Sequence, residues 1–541
     1  VDPRLAGRGG APIEATPGVL RALGRLDWVV HVDDRVLVKL DTVLARAAVA
    51  SARSGGRGPA SIAVEVVLRP GLTPEQRQQL AGFGFDPRAI VRDRVVGRVE
   101  LHQLEALAAL DWVVSIAQPE AADLLQALAP VRAFASSPSL ERLHRRGLTG
   151  RGVKVAVIDS DFAPDDPRLR GGVVHVESLP TGLVGDRGHG TAVAATLRAV
   201  APEAQLILLS VGSTPGVSVY RAIDRALELG ASVINLSLGK AIPEEGFLRG
   251  GSPLARELND KLVARKAILV AAAGNYNRSL YYLSDAATGM AEGSALRLGL
   301  QDAMAFTWPR ALKETYVFVA WDDAYLPEQQ RTSDLTLELW DVAKRQLLAV
   351  SDDNQLASKP PREVLRLARP GSPAYGRPGF VSVGNSERFE LRVRSNLPER
   401  TLRGRALRLG AGVGVRFGLP SNRTSISAAP YALAEASIMV GAYTPVPGGY
   451  RVEPHSGRGP QQDGTPRPDV LAPAVTLFGG RAFQGTSVAT PYVTGLCALL
   501  KGSRPDLGPA EIKALLARQN TQPELRDPVS AVEASLDRIG R

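Results

Sequence analysis

Cysteine, methionine and histidine are scarce in this chain, which contains one Cys, three Met and six His among 541 residues. The single cysteine, Cys497, lies in an apolar run at 493–500, and we interpret it as a small core residue. Because it has no partner in the chain, an internal disulfide is excluded. The cysteine content therefore does not indicate a redox compartment.

Long hydrophobic runs are also absent. Asp, Arg or Gly interrupts every apolar stretch before it reaches the about 18 residues of a membrane-spanning helix, so we predict no integral membrane segment. The length nevertheless predicts about three or four domains. The sequence starts at Val1 without a methionine or an apolar leader, which fits a secreted protein after leader removal and fits a trimmed chain equally well.

The net charge of +10 raises the question of a nucleic-acid partner. The basic residues are scattered along the chain instead of being gathered in one stripe. We therefore interpret the charge as a cationic, solvated surface and expect no nucleic-acid partner.

The stretch at 483–491 is suited to nucleophilic chemistry. Ser487 follows Gly485 and Thr486 and precedes small residues, a pattern that predicts a tight turn into a helix with unpaired backbone N–H groups. Such a serine can be a nucleophile if a base takes its proton, a carboxylate orients the base and donors hold the oxyanion. A lone serine before a helix is usually only a cap, so the interpretation depends on those partners.

Candidates for the partners lie upstream. Asp159 ends an apolar, β-branched run at 153–158, and Asn275 follows a second apolar run at 267–273. Both runs predict buried parallel strands, whose carboxyl ends meet at one edge of a sheet. His189, between two glycines, is the candidate base.

Six strings follow one another in the chain: GRGVKVAVID at 150–159, GHGT at 188–191, VINLSLG at 233–239, AAAGN at 271–275, RPDVLAP at 467–473 and GTSVATP at 485–491. Together, and in this order, they resemble the signature strings of the subtilisin-like serine peptidases, the subtilases. The order Asp, His, Ser along the chain is also that of the subtilisin group.

The resemblance implies peptide-bond hydrolysis through an acyl-enzyme. Ser487 would attack, His189 would carry the proton and Asp159 would orient the imidazole. The amide of Asn275 and the backbone N–H of Ser487 would hold the oxyanion.

The resemblance also implies a substrate-binding strand formed by Ser237, Leu238 and Gly239. The expected partners are protein or peptide substrates and the chain's own propeptide. No cofactor is required for the implied chemistry, and the resemblance implies a secreted, self-processed zymogen.

Three positions depart from the common pattern. Asp161 stands where Gly is usual, and a second carboxylate there is expected to favour an imidazolium and to shift the pH optimum. Ala192 replaces a frequent second His. Val488 replaces the Met that often follows the nucleophile, which predicts resistance to peroxide.

The predicted fold is α/β: a subtilisin-like parallel sheet with helices on both faces, plus an α+β ferredoxin-like prodomain and an inserted all-β, jelly-roll-like sandwich. We assign 1–130 to a propeptide-like region, 131–275 and 426–541 to the two parts of the catalytic domain, and 276–425 to the insertion. In the catalytic parts we predict strands ending at Asp159 and at 205–211, 233–236, 267–272 and 436–442, a helix that starts at Thr191, and helices at 218–229 and 253–265. This alternation of strands and helices predicts the parallel sheet, and a period of two in the insertion predicts antiparallel strands.

The propeptide-like region has a core at about 61–120 with the predicted order βαββαβ, its strands at 62–68, 90–92, 95–99 and 112–116. By resemblance, the tail at 118–125 is expected to lie near the active-site cleft.

Structural calcium is an open expectation for the insertion. The acidic pairs Asp322–Asp323 and Asp352–Asp353 offer oxygen ligands, but we favour their interpretation as turn residues at strand ends.

Two other functions remain open at this stage. The chain is alternatively a catalytically silent, subtilase-like surface binding protein that uses the sandwich for adhesion. Within enzymes, a processing protease and a broad scavenger are not separated by the sequence. The insertion begins directly after Asn275, beside the expected specificity pocket, so no residue preference is predicted.

Overall fold

The computed structural model describes residues 39–40, 44, 61–117, 123–124, 138–179, 187–212, 216–243, 247–283, 303–323, 333–353, 361–377, 379–397, 405–419, 424–446, 449–478, 481–518, 529 and 532. The predicted tail at 118–125 is therefore described only at 123–124.

The N-terminal unit (61–117) is a small α+β fold. Its elements are β1 (Ser61–Leu68), α1 (Pro74–Gly82), β2 (Arg94–Glu100), α2 (Leu104–Ala109) and β3 (Val113–Ala117). The strands form an antiparallel sheet in the order β2, β1, β3. Alternate residues of β1 are buried against the helices, as the period-two pattern requires.

One predicted strand of this unit is not formed. Residues 90–92 contribute only an isolated bridge, between Val91 and Arg94. Arg92 has a positive φ of 55°, so the chain turns at once into β2 and leaves no length for a separate strand. The observed order is therefore βαβαβ, with Leu40 bridging Ile116 in parallel at the other edge.

The first part of the α/β unit alternates strands and helices. The short strand β4 (Asp123–Leu124) precedes this unit. The elements of the unit are α3 (Pro138–Arg145), β5 (Lys154–Asp159), β6 (Val173–Ser178), α4 (Arg187–Val200), β7 (Gln205–Ser210), α5 (Ser218–Glu228), β8 (Val233–Leu236), β9 (Leu238–Gly239), α6 (Pro253–Ala264) and β10 (Ile268–Ala272).

The inserted sandwich then interrupts the α/β unit. Its strands are β11 (Leu280–Leu283), β12 (Met304–Thr307), β13 (Glu314–Trp321), β14 (Leu335–Asp341), β15 (Gln346–Ser351), β16 (Arg362–Ala368), β17 (Val381–Ser382), β18 (Arg388–Ser395), β19 (Leu407–Ala411) and β20 (Arg416–Phe417). They form two five-stranded sheets, in the orders β11-β19-β13-β16-β17 and β15-β14-β18-β12-β20. A shared core of large apolar side chains, including Trp308 and Trp321, lies between them.

The second part of the α/β unit completes the sheet. It contains α7 (Pro430–Leu433), β21 (Ser437–Val446), β22 (Gly449–Val452), β23 (Val470–Pro473), β24 (Val475–Phe478), β25 (Arg481–Gln484), α8 (Thr486–Ser503) and α9 (Pro509–Ala517). The predictions did not include β6, β22, β23 or the β24–β25 hairpin.

The central sheet has the order β22, β21, β10, β8, β5, β7, β6, with β23 also paired to β21. All of these pairs are parallel except β21 with β22. The parallel register puts the carboxyl ends of β5, β8 and β10 at one edge, where Asp159, Ser237 and Asn275 follow. This arrangement confirms the predicted α/β fold class.

Helices cover both faces of the sheet. One core cluster joins α4 and α8 to one face, and a second joins α5 and α6 to the other. The two helices α4 and α8 approach closely because Gly495 has no side chain where Val200 packs. No helix of the described residues is both long and apolar enough to cross a membrane.

Both additional units contact the α/β unit. Arg92 of the N-terminal unit is paired with Glu257 of α6, and Val91 packs against the second core cluster. The sandwich packs through Tyr282 and Phe318 against Ala272 and Tyr276, at the end of β10.

Candidate active site

Asp159 and His189 form the centre of the candidate site. Nδ1 of His189 lies 2.8 Å from Oδ1 of Asp159, and both side chains are buried. The same carboxylate oxygen accepts hydrogen bonds from the backbone N–H of Ser160 at 2.7 Å and from its hydroxyl at 3.2 Å. These contacts fix the carboxylate, and a carboxylate at Nδ1 holds the neutral imidazole in the tautomer whose Nε2 can accept a proton.

The helix that carries His189 begins earlier than predicted. We predicted a start at Thr191, whereas α4 starts at Arg187, so His189 lies within the first turn. Gly190 allows the approach to β5, because a Cβ there would collide with the carbonyl oxygen of Asp161. The hydroxyl of Thr191 accepts a hydrogen bond of 2.8 Å from the N–H of Ala163 and anchors the turn further.

Ser487 is the second residue of α8. Gly485 caps this helix with φ of 142°, a conformation that side chains rarely adopt, and its N–H donates to the carbonyl of Ala474 at 2.9 Å. The predicted tight turn into a helix is therefore present, and its sharpness is the reason that glycine stands at this position.

Asn275 is tied to the start of the same helix. Its Oδ1 accepts hydrogen bonds from the backbone N–H and from the hydroxyl of Thr486, both at 3.1 Å. The Thr486 hydroxyl also accepts from the N–H of Gly274 at 3.2 Å. With Oδ1 committed to Thr486, Nδ2 is the part of the amide that can donate to a developing oxyanion.

Ser237 contacts the nucleophile residue through the backbone. Its hydroxyl donates a hydrogen bond of 2.9 Å to the carbonyl oxygen of Ser487 and accepts one of 3.0 Å from Nδ2 of Asn235. Oδ1 of Asn235 in turn accepts a hydrogen bond of 2.8 Å from the hydroxyl of Thr494 in α8. Our sequence reasoning did not single out Asn235. The sequence does contain a signal for it, because Asn235 is the one polar residue in the apolar strand β8. A buried amide needs hydrogen-bond partners, so such a residue points to a buried polar contact.

Leu238 and Gly239 form a short antiparallel pair with the chain's own residues. Asp123 lies opposite Gly239 and Leu124 lies opposite Leu238. A backbone segment that follows the N-terminal unit thus lies along the strand we predicted for substrate binding.

Asp161 is not directed at the imidazole as a free charge. Its Oδ1 accepts hydrogen bonds from the N–H of Phe162 at 2.8 Å and from the hydroxyl of Ser210 at 3.1 Å. Its Oδ2 is paired with Nε of Arg187 at 3.0 Å. The expected second charge beside His189 is therefore accompanied by a cation.

The acidic pairs considered for calcium make hydrogen bonds within the protein. Asp322 accepts from Arg249 and Gln462, and Asp352 accepts from Thr336 and Asn396. Within the described ranges no three His, Cys, Asp or Glu residues form a metal-binding group.

The predicted residues therefore form connected pairs at one edge of the sheet. Asp159 with His189 supplies an oriented base, and Asn275 with Thr486 supplies an oriented donor beside Ser487. The two parts are joined because α4 and α8 pack on the same face of the sheet. Such an arrangement can activate a hydroxyl and stabilise an oxyanion, which is the requirement of acyl transfer.

Comparisons with known proteins give matches to one family. The family model described as the subtilase family matches residues 150–331 and 380–534. Subtilisin BL of Lederbergia lenta is 36% identical over 166 residues, which cover 28% of this chain and 58% of that protein. An alkaline protease of Alkalihalobacillus alcalophilus is 30% identical over 238 residues, which cover 39% of this chain and 60% of that protein.

The chain thus spans about 60% of the length of these curated relatives. Among solved structures, the CspB protease of Clostridium perfringens aligns with a TM-score of 0.47 and 17% identity, over 70% of this chain and 90% of that one.

Proposed function

The chain belongs to the subtilase family, and from this premise we propose that it is a serine endopeptidase acting through an acyl-enzyme. The observation that carries the proposal is the buried hydrogen bond of 2.8 Å between Asp159 and His189 at the end of β5. A silent binding protein would not need to keep a buried, oriented imidazole at the edge where Ser487 lies.

In the proposed mechanism Ser487 attacks the carbonyl carbon of the scissile bond while His189 takes the hydroxyl proton. The imidazolium then gives the proton to the leaving amine, and Asp159 stabilises the cation and keeps the ring oriented. Water, activated by the same imidazole, hydrolyses the acyl-enzyme and regenerates the serine.

The oxyanion that forms in each step would be held by Nδ2 of Asn275 and by the backbone N–H of Ser487. Support comes from the two hydrogen bonds that fix the amide of Asn275 against Thr486. A donor that is already fixed needs no reorganisation when the charge develops.

We propose that the substrate backbone pairs with Leu238 and Gly239 as an added strand. The antiparallel pair with residues 123–124 supports this, because the chain's own segment already uses the same backbone groups. The N-terminal unit and its tail would then be a propeptide, removed by self-processing of a secreted zymogen. The natural substrates are proteins or peptides.

Hydrolysis by these groups needs no cofactor, since proton transfer and oxyanion stabilisation are supplied by side chains and backbone. Structural calcium at Asp322–Asp323 or Asp352–Asp353 stays a prediction. Their present hydrogen bonds favour the interpretation as turn residues.

The test is labelling with a fluorophosphonate, which reacts with an activated serine. We expect the processed wild-type protein to be labelled and Ser487→Ala to remain unlabelled. Ser425→Ala is the matched control, because Ser425 is also buried but its hydroxyl donates a hydrogen bond to Oδ1 of Asn277. Absence of Ser487-dependent label on processed protein would leave the binding-protein alternative.

Processing is tested separately by N-terminal sequencing of the product. Cleavage between about residues 118 and 140 is the expected result, since this segment joins the N-terminal unit to the α/β unit. A Ser487→Ala chain that is cleaved at the same bond, in the absence of added protease, would contradict self-processing.

A further inference from the structure

The carboxylate of Asp161 lies at the same end of the sheet as the candidate site. It follows β5 by two residues and is mostly buried, with 19% of its side chain exposed. Its hydrogen bonds from Phe162 and Ser210 fix both its position and its direction. A Cβ on Gly190, the residue after His189, would collide with the carbonyl oxygen of Asp161, so this loop is in contact with the helical turn that carries the imidazole. A carboxylate in such a loop would by itself favour the imidazolium.

Arg187 meets this carboxylate from the first turn of α4, two residues before His189. Nε of Arg187 lies 3.0 Å from Oδ2 of Asp161, and the guanidinium is otherwise largely exposed. The backbone carbonyl of Arg187 accepts a hydrogen bond of 2.5 Å from the hydroxyl of Thr191, which also binds Ala163. The Asp161–Arg187 ion pair and the Thr191 hydroxyl therefore both connect the loop after β5 to the first turn of α4.

Neither the start of α8 nor the end of β7 places a charged residue at this end of the sheet. The start of α8, at 486–490, contributes only hydroxyl and apolar side chains, and β7 contributes Ser210. The loop between β5 and β6 also carries four charged residues beyond Asp161, namely Asp165, Arg170 and the pair Asp166–Arg168, whose charged groups lie 2.7 Å apart. Along β5 and the first turn of α4, Asp161 and Arg187 are the charged residues within two positions of Asp159 or His189.

We propose that Arg187 is a positioning residue that neutralises Asp161, so that the imidazole of His189 meets the net charge of one carboxylate instead of two. The inference rests on the proposed function, because the imidazole matters as the catalytic base. It adds a compensating cation to the expectation that Asp161 shifts the pH optimum, which stays a prediction.

The two partners have opposite predicted effects on the base. Removing the cation leaves Asp161 uncompensated, which favours the imidazolium and moves the acid limb of the pH profile to higher pH. Removing the carboxylate leaves the cation, which disfavours the imidazolium and moves the acid limb to lower pH. When both are removed, the net charge returns to that of the wild type.

The experiment is the pH dependence of kcat/KM for the full chain and three variants. We expect Arg187→Gln to move the acid limb up by about 0.3 to 0.6 pH unit, as Coulomb interaction at roughly 10 Å in a high dielectric gives. Asp161→Asn should move it down by a similar amount, and the double variant should lie near the wild type. High salt should reduce both shifts.

Matched controls come from the other end of the same strand. Arg151 and Glu203 form an exposed pair at 2.8 Å beside the amino end of β5, about 20 Å along the strand from Asp159. Arg151→Gln and Glu203→Gln change the same charges and should leave the acid limb unmoved.

Shifts of the same sign in the two single variants, or shifts no larger than those of the controls, would overturn the inference. A merely structural role would lower kcat in both variants without opposite shifts. The imidazole of His189 should also be titrated by NMR in a Ser487→Ala background, where no turnover is needed. If the wild type lacks Ser487-dependent activity, the proposed function fails, and this titration still decides the inference.

Discussion

The hydroxyl of Ser237 donates a hydrogen bond of 2.9 Å to the backbone carbonyl of Ser487. The residue that starts the proposed substrate strand is therefore coupled to the first turn of the nucleophile helix. The Asn235 amide holds this hydroxyl from β8 and reaches α8 again through Thr494. Hydrogen bonds among Asn235, Ser237, Thr494 and the Ser487 carbonyl thus fix β8 and α8 relative to each other.

Ser237→Ala is expected to lower kcat about 10-fold, because the first turn of α8 loses a contact that sets the direction of the nucleophile. We expect a loss of about 1 to 2 kcal/mol in the free energy of unfolding as well, since buried groups of Asn235 and Ser487 lose a partner. Ser252→Ala is the matched control. It removes a buried serine that caps α6, so it should cost about 1 kcal/mol and leave kcat unchanged. Steady-state kinetics and denaturant unfolding of both variants separate the two effects.

Asn275→Asp tests the oxyanion donor with little change in shape. The new carboxylate can still accept from Thr486, but it cannot donate and it brings a negative charge to the oxyanion. We expect kcat to fall about 10²- to 10³-fold, the magnitude established on a subtilisin, with KM little changed. Asn277→Asp is the control, because that amide binds the carbonyl of Pro454 and should affect stability instead of turnover. Equal loss of kcat in both variants would assign Asn275 a structural role only.

Val488→Met is expected to make the protein sensitive to peroxide. Val488 follows Ser487 directly and is buried, with 6% of its surface exposed, so a sulfoxide there would disturb the first turn of α8. Met304 and Met439 are fully buried, and the wild-type chain should keep most of its activity under the same treatment. Loss of at least half of the wild-type activity would contradict the prediction.

Acid is expected to weaken the contact between the N-terminal unit and α6. Burial acts to raise the pKa of Glu257, but hydrogen bonds from Arg92 and Lys261 outweigh it and hold the pKa below its usual value of 4.5. A lowered pKa means that the stabilisation is present above pH 4.5 and is lost as the pH falls through the lowered value. Because both side chains are partly exposed, we expect the effect on the protection of amides at 61–117 to be only about two- to five-fold.

Hydrogen exchange of the full chain carrying Ser487→Ala measures this effect without processing. Glu257→Gln should weaken protection at neutral pH and remove the acid-dependent part of the change. Glu203 forms an exposed ion pair with Arg151, outside the N-terminal unit. Glu203→Gln should therefore change neither the protection at neutral pH nor its dependence on acid. The idea fails if Glu257→Gln retains the full pH dependence.

The sequence predicted the elements that depend on local pattern. The apolar run before Asp159 is a buried strand, and the amphipathic stretches at 218–229 and 253–265 are helices, because periodicity and capping residues are local properties. The strand predicted at 90–92 was wrong for a tertiary reason. A strand exists only where a partner pairs with it, and the positive φ of Arg92 returns the chain to Arg94 at once.

By itself, the sequence determined the family strings, the α/β class and the identity of Asp159, His189, Asn275 and Ser487 as the residues to examine. Tertiary structure alone decided which partner each of them has. Arg187 reaches Asp161 across 26 positions, and Ser237 reaches Ser487 across 250. Hydrogen bonds and ion pairs act over a few ångströms in space, and separation along the chain carries no information about that distance until the sheet register is fixed.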